Sequence, residues 1–246
     1  MRAGLASDET AALRDWVAAV ETWPAGSHVW GHYAEQTAHG PAICRTENVS
    51  VCHGGIASLV AGPLTALAED HFGAPALAFK DKLNYKQPGG AGFSPHQDVL
   101  AYPGVIDVVS ILVAVDECST TSGCLWLAAD VDAVLPTDER GVVRSDIAEA
   151  LSWAPVEMAP GDAICFGGLV PHYSEANRSD APRRVLVVSY APAAEAYTRD
   201  DYYGARRRVM AEASARDGRW RISTLADFDG TEVAPAGPAG GECGHP

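Results

Sequence analysis

The chain has 246 residues, 47% of them hydrophobic, enough to bury one substantial core; one domain over 1–230 is expected, with 231–246 as a disordered tail. Its formal net charge of −14 argues against nucleic acid or an anionic membrane as a partner, because either would need a basic face. A small-molecule ligand is left open, since even an anionic one needs only a few local cations, and the sequence is silent on oligomeric state.

The opening "MRAGLASDETAALRDW" has no apolar h-region, so a cytoplasmic protein is expected. Asp8 is placed to cap a first helix on which Leu13, Trp16, Val17 and Val20 share a face, and "TWPAG" stops it. A second helix is predicted from about Ile56 to Phe72, kinked near Pro63. From Ala76 the texture changes. "ALAFKDKLNYKQ" alternates, and "GVIDVVSILVAVD", "SGCLWLAA", "DAICFGG" and "RRVLVVSYAP" are short β-rich runs between turn residues. "RSDIAEALSW" predicts a short helix and "RDDYYGARRRVMAEASA" a late one. The Pro/Gly-rich end "EVAPAGPAGGECGHP" predicts disorder. Helices first, then a run of strands, point to a mainly β fold, a sandwich or closed double sheet flanked by helices. The six cysteines form no C-x-x-C pair and read as reduced thiols.

The stretch "AGFSPHQDVLAY" places His96 and Asp98 on one face of an extended strand. Among eight histidines, His172 follows the Gly-rich corner "FGGLVPH". Two histidines and a carboxylate on one triangular face, with open positions opposite, suit a non-haem Fe(II) oxygenase. The same residue types also occur as unrelated core or surface side chains, and the short H-x-D pattern does not decide between the two.

The wider run decides more. "HQD", then "SGCLWLAA", then "PGDAICFGGLVPHYSEANRSDAPRR" resembles the phytanoyl-CoA dioxygenase family of Fe(II)/2-oxoglutarate oxygenases over about residues 76–192. The resemblance implies a double-stranded β-helix, a jelly-roll or cupin-like core. It implies that His96, Asp98 and His172 bind Fe(II), and that 2-oxoglutarate and O2 are co-substrates. The family's co-substrate arginine, eleven residues after the distal histidine, falls on Arg183, with Arg184 beside it on the opposite face. Ser174 matches the hydroxyl partner of the same carboxylate, and Lys82 and Asn84, on the strand before H-x-D, match contacts to 2-oxoglutarate. In "KDKLNYK", Lys80, Lys82, Asn84 and Lys86 share one face; the alternative is a solvated edge strand whose lysines block aggregation. Asp98 stands where related halogenases carry a small residue, which favours hydroxylation or another oxidation over halogenation. The family's "PGSH" is replaced by "AADVDA".

"ICRTENVSVCHGG" followed by "KDKLNYKQPGGAGFSPHQDVLAY" further resembles the branch that hydroxylates aminoalkylphosphonates beside phosphorus. Such a substrate needs cations and donors, for which Arg45, Lys80, Asn48 and His53 are candidates. A cationic end would want an aromatic or acidic wall, for which Trp30, Tyr33, Glu47, Tyr102 and Trp126 are candidates. Arg45 and Glu47 could instead pair with each other, and Trp126 could simply pack in the core. An oxygenase of the same family acting on another metabolite, a zinc hydrolase, and a non-catalytic binding protein on the same fold are the alternatives.

Overall fold

The computed structural model describes residues 1–24, 29–37, 40–102, 104–217 and 230–232. In chain order the elements are β1 (Arg2–Gly4), α1 (Ser7–Glu21), β2 (Gly31–Thr37), β3 (Gly40–Glu47), α2 (Gly54–Leu59), α3 (Thr65–Phe72), β4 (Ala76–Lys86) and β5 (Phe93–His96). There follow β6 (Val109–Ala114), β7 (Leu125–Leu127), α4 (Ser145–Ala148), β8 (Ala154–Val156), β9 (Asp162–Gly167), β10 (His172–Ser174), β11 (Arg183–Pro192), α5 (Arg199–Asp217) and β12 (Gly230–Glu232). All strand pairs are antiparallel, in an eight-stranded sheet ordered β1-β9-β6-β11-β4-β3-β2-β12 and a four-stranded sheet ordered β5-β10-β7-β8. This is the expected mainly β double sheet with flanking helices.

The two faces of the large sheet bury different things, as alternation requires. Leu83, Ile111, Val113, Leu186 and Val188 pack against Leu13, Val17, Ile56 and Leu64 of the helical layer. Leu112, Ala114, Ile164, Phe166, Val185 and Val187 face the small sheet and pack with Val156, Leu125 and Leu127. The candidate site lies on this second face.

Several expectations need correction. The α1 N-cap is Ala6, whose N–H donates to the Glu9 carboxylate at 2.9 Å; Asp8 instead sits in the first turn, where the helix dipole favours an acid. The second helix is broken as expected, with Pro63 inside a π-helical turn, Val60–Leu64, between α2 and α3. Strands do not wait for residue 76: β1, β2 and β3 come earlier. They were hard to read because the inward residues of β2 and β3 include Glu35, Arg45 and Glu47, so apolar alternation is missing. Nor is β4 an edge strand, since it lies between β3 and β11 and buries Lys80 and Lys86. Cys44, Cys118, Cys124 and Cys165 are free and buried, but Cys52 is disulfide-bonded, against the expectation of six thiols. Strand β12 crosses the boundary drawn after residue 230, and the rest of the expected tail, 233–246, lies outside the described residues. Among the described residues no helix is long and apolar enough to cross a membrane.

Candidate metal centre and active site

His96 ends β5 and His172 opens β10, and the two are direct partners across the strand pair. Their ring centroids are 4.1 Å apart. Strand pairing stops at His96, so Asp98 opens a short 3-10 turn rather than continuing the strand. Gln97 between them remains extended (φ −119°, ψ 130°), which keeps the alternation and turns Asp98 to the same side as His96. The result is one cluster of three buried side chains, with one ligand atom from each lying within 4.8 Å of the others.

The tautomers follow from the neighbours. His96 Nδ1 donates to the Ser94 carbonyl at 2.7 Å and His172 Nδ1 to the Val170 carbonyl at 3.0 Å. A carbonyl only accepts, so each Nδ1 carries the hydrogen and each Nε2 keeps its lone pair for a metal. Burial and the neighbouring His172 push His96 down to about 3, and burial lowers His172 as well. Burial works to raise Asp98, but His172 and Lys80 outweigh it and hold the carboxyl below its ordinary range. Two neutral imidazoles and one carboxylate are the protonation states a divalent cation needs. The donor set therefore fits Fe(II).

A cavity between the sheets opens on this cluster. Its lining includes Lys82, Asn84, Lys86, Phe93, Leu112, Phe166, Ser174, Arg183, Val185 and Val187, together with Glu35, Cys44, Cys118, Met158 and Tyr173. Register explains why the polar residues meet: Arg183 lies opposite Lys86, Val185 opposite Asn84 and Val187 opposite Lys82. Arg183 is buried and donates to the Gly123 carbonyl at 2.5 Å, while its Nε has no partner. Lys86 Nζ donates to Ser174 Oγ at 2.8 Å and to the carbonyls of Gly123 and Glu175. Gly123 takes φ +73°, and a Cβ there would lie 2.4 Å from the Glu175 carbonyl, so the turn that brings these groups together needs glycine. This corner of two cations and a hydroxyl fits the far carboxylate of 2-oxoglutarate. Arg184 points to the other face, where it pairs with Asp116 at 2.7 and 2.9 Å and with Glu21 at 3.4 Å.

The residues expected at the substrate fare differently. Arg45 stands behind the cavity wall, donating to Asn84 Oδ1 at 3.2 Å and pairing with Glu47 at 3.3 Å. Glu47 also takes Arg206 at 2.7 Å, so its charge is spent inside the protein. Lys80 donates to the Tyr102 hydroxyl at 2.5 Å, and burial pushes the amine down to about 8. Asn48 and His53 do not reach the site. Asn48 adopts a left-handed backbone (φ 61°) and accepts from Arg199 at 2.7 Å, and His53 caps α2 beside Trp16. Trp30 packs on Trp23, Tyr33 lies under Arg206, and Trp126 stacks on Tyr173, all outside the cavity lining. Three residues the sequence reading did not assign are prominent here. Lys86 was legible as a face-mate of Lys82. Ser110 Oγ donates to Asp98 Oδ2 at 2.5 Å. Gln97 donates to the Ala133 carbonyl at 2.9 Å and accepts from the Leu135 N–H at 2.8 Å, tying the segment after β7 to the metal loop. Neither Ser110 nor Gln97 had a sequence signal.

Residues 1–185 match the family described as Phytanoyl-CoA dioxygenase (PhyH). The chain belongs to the phytanoyl-CoA dioxygenase family. It is thus a member of the Fe(II)- and 2-oxoglutarate-dependent dioxygenases, the class for which its triad and carboxylate corner are suited. It is 37% identical to a methylphosphonate hydroxylase of Gimesia maris over 92% of this chain and 88% of that one. It is 34% identical to a 2-aminoethylphosphonate dioxygenase of an uncultured bacterium, over 84% and 82% of the two chains. Among solved structures, the α-ketoglutarate-dependent epimerase SnoN of nogalamycin biosynthesis superposes with a TM-score of 0.64 at 20% identity, covering 78% of this chain and 76% of that one. EctD from S. alaskensis, solved with 2-oxoglutarate and 5-hydroxyectoine, gives 0.64 at 20% identity, over 79% and 73%. These two likenesses establish the shared jelly-roll fold.

Proposed function

We propose that this dioxygenase hydroxylates small alkylphosphonates at the carbon bonded to phosphorus, using Fe(II), 2-oxoglutarate and O2. The observation that carries the chemistry is the triad His96, Asp98 and His172 opening onto a cavity whose far wall holds Arg183. The substrate class rests on the two phosphonate-oxidising relatives.

When bound, Fe(II) with its co-substrates supplies the oxidising power that converts C–H to C–OH, 2-oxoglutarate leaving as succinate and carbon dioxide. The protein's part is placement. His96 and His172 present their Nε2 atoms, and Asp98 presents the oxygen not held by Ser110. Arg183, Lys86 and Ser174 hold the far carboxylate of 2-oxoglutarate. Leu112, Val185, Val187 and Phe166 give the cavity an apolar floor that excludes water between that corner and the metal. A zinc hydrolase would have no use for the Arg183 corner. We further read the enzyme as cytoplasmic and as acting on small molecules, without nucleic-acid or membrane partners, in keeping with a net charge of −14.

The reading is tested by phosphorus NMR on methylphosphonate and 2-aminoethylphosphonate incubated with the enzyme, Fe(II), 2-oxoglutarate and air. The expected result is a new resonance that needs all components and retains the C–P bond. Unchanged spectra for both compounds would defeat it.

A further inference from the structure

The inward face of β4 carries four polar residues, and three are already engaged. Lys80 is held by Tyr102, Asn84 by Arg45, and Lys86 by Ser174 and two carbonyls. Lys82 lines the cavity, yet among the described residues it has neither a hydrogen bond nor an ion pair. Lys82 is partly buried, and holding an ammonium there without a partner is costly. Such a group on a cavity wall marks a place where an anion belongs.

That anion is not readily the far carboxylate of 2-oxoglutarate. Lys82 lies opposite Val187, four residues along β4 from Lys86, which faces Arg183. At roughly 3.3 Å per residue this is about 13 Å of strand, more than a five-carbon diacid spans. Lys82 belongs to the metal end instead, where its charge is felt at His96, Asp98 and His172. Burial pushes the Lys82 amine well below its ordinary range, and the neighbouring Lys80 and Arg45 push the same way, while Asp98 and Glu47 oppose them. An anion seated at this end would favour the charged form of Lys82.

We propose that Lys82 binds the phosphonate group of the substrate, and so sets the carbon attached to phosphorus beside the metal. This rests on the phosphonate reading above and names the residue that would enforce it. A neutral or zwitterionic substrate lacking the dianion would leave Lys82 unpaired and bind poorly.

The test uses anaerobic Fe(II) enzyme, as wild type, Lys82→Met and Lys82→Arg. Three titrations are made on each: Fe(II) on the metal-free protein, 2-oxoglutarate on the Fe(II) form, and methylphosphonate or 2-aminoethylphosphonate on the Fe(II)–2-oxoglutarate form. Lys82→Met is expected to weaken phosphonate binding by tenfold or more, roughly the loss of one charge-assisted bond. Fe(II) affinity should not fall, since the variant removes a positive charge from beside the ligands; 2-oxoglutarate affinity should stay within about twofold, since its far carboxylate is held at the Arg183 corner. Lys82→Arg should restore part of the loss, and inorganic phosphate should compete with phosphonate in wild type only. The proposal is overturned if Lys82→Met weakens 2-oxoglutarate instead, or leaves phosphonate binding unchanged while wild type binds it. Failure of wild type to bind either phosphonate would overturn the substrate reading itself, and this assignment with it.

Discussion

The Ser110 hydroxyl sits 2.5 Å from Asp98 Oδ2 and donates to it, while Asp98 Oδ1 lies 4.0 Å from His172 Nε2 on the metal side. One carboxylate oxygen is thus occupied by the protein and the other is aimed at the metal position. The bond is itself supported, because Ser110 faces Ser189 across the β6–β11 pair, and Tyr102 and Lys80 continue the chain behind it. Ser110→Ala removes the one hydrogen-bond partner of Oδ2 among the described residues and lets the carboxylate rotate. Fe(II) affinity is expected to fall by about ten- to a hundredfold, the usual cost of losing an orienting partner. Metal titration of the purified variant checks this; unchanged affinity would mean that Ser110 has no orienting role.

Arg183 and Arg184 are neighbours with opposite duties, and their variants should separate cleanly. Arg183→Ala is expected to raise the KM for 2-oxoglutarate by at least about tenfold, for the loss of a buried charge-assisted contact. Arg184→Ala should leave that KM alone. It should instead cost roughly 2 kcal/mol of stability, because it breaks a well-formed double hydrogen bond to the half-buried Asp116. Thermal melts run beside initial rates on both variants show whether the split is real.

Much of this division was legible from alternation alone. Arg183 and Arg184 had to face opposite sides of β11, and Lys82 and Asn84 had to share a side of β4. The triad was legible because H-x-D and a distal histidine survive as short patterns. What escaped was set by distant partners. Ser110 meets Asp98 only because β6 lies beside β11, and Gln97 meets Leu135 only because the segment after β7 folds back. Asn48 and His53 looked like site residues because they are polar and lie near Arg45 in sequence. The chain leaves β3 right after Glu47 and enters the helical layer, which carries both to other work.

The metal-free protein should lose stability in mild acid. His96, His172, His32 and His53 are all lowered from their ordinary value, each mainly by burial. An unfolded histidine binds its proton near pH 6.5, so below that point the unfolded chain holds more protons than the folded one. Their contribution is therefore complete above about pH 6.5 and is lost as pH falls toward the folded values, about 3 for His96. Glu21 and Glu35 are raised by burial and act in the opposite sense as pH falls toward their ordinary value of 4.5, but they are fewer. Melting temperatures measured from about pH 7.5 to 5 should decline steadily below pH 6.5. A flat profile across that range would show that these histidines are not held neutral.

Gln97 fastens the segment around 133–135 to the loop between two metal ligands. Gln97→Ala should free that segment without touching a ligand atom. The expected signature is faster proteolytic cleavage near residues 130–137, with more succinate made per product as water reaches the centre. Wild-type cleavage and coupling in the variant would show that the fastening is dispensable.

The most direct measurement is the stoichiometry of one reaction: succinate formed against 2-aminoethylphosphonate or methylphosphonate consumed, under air with Fe(II) and 2-oxoglutarate, with product masses recorded. The expected result is close to one succinate per phosphonate, a product one oxygen atom heavier, and loss of both signals in His172→Ala. Succinate release that ignores every phosphonate would contradict the substrate assignment, and phosphonate consumption without succinate would contradict the chemistry.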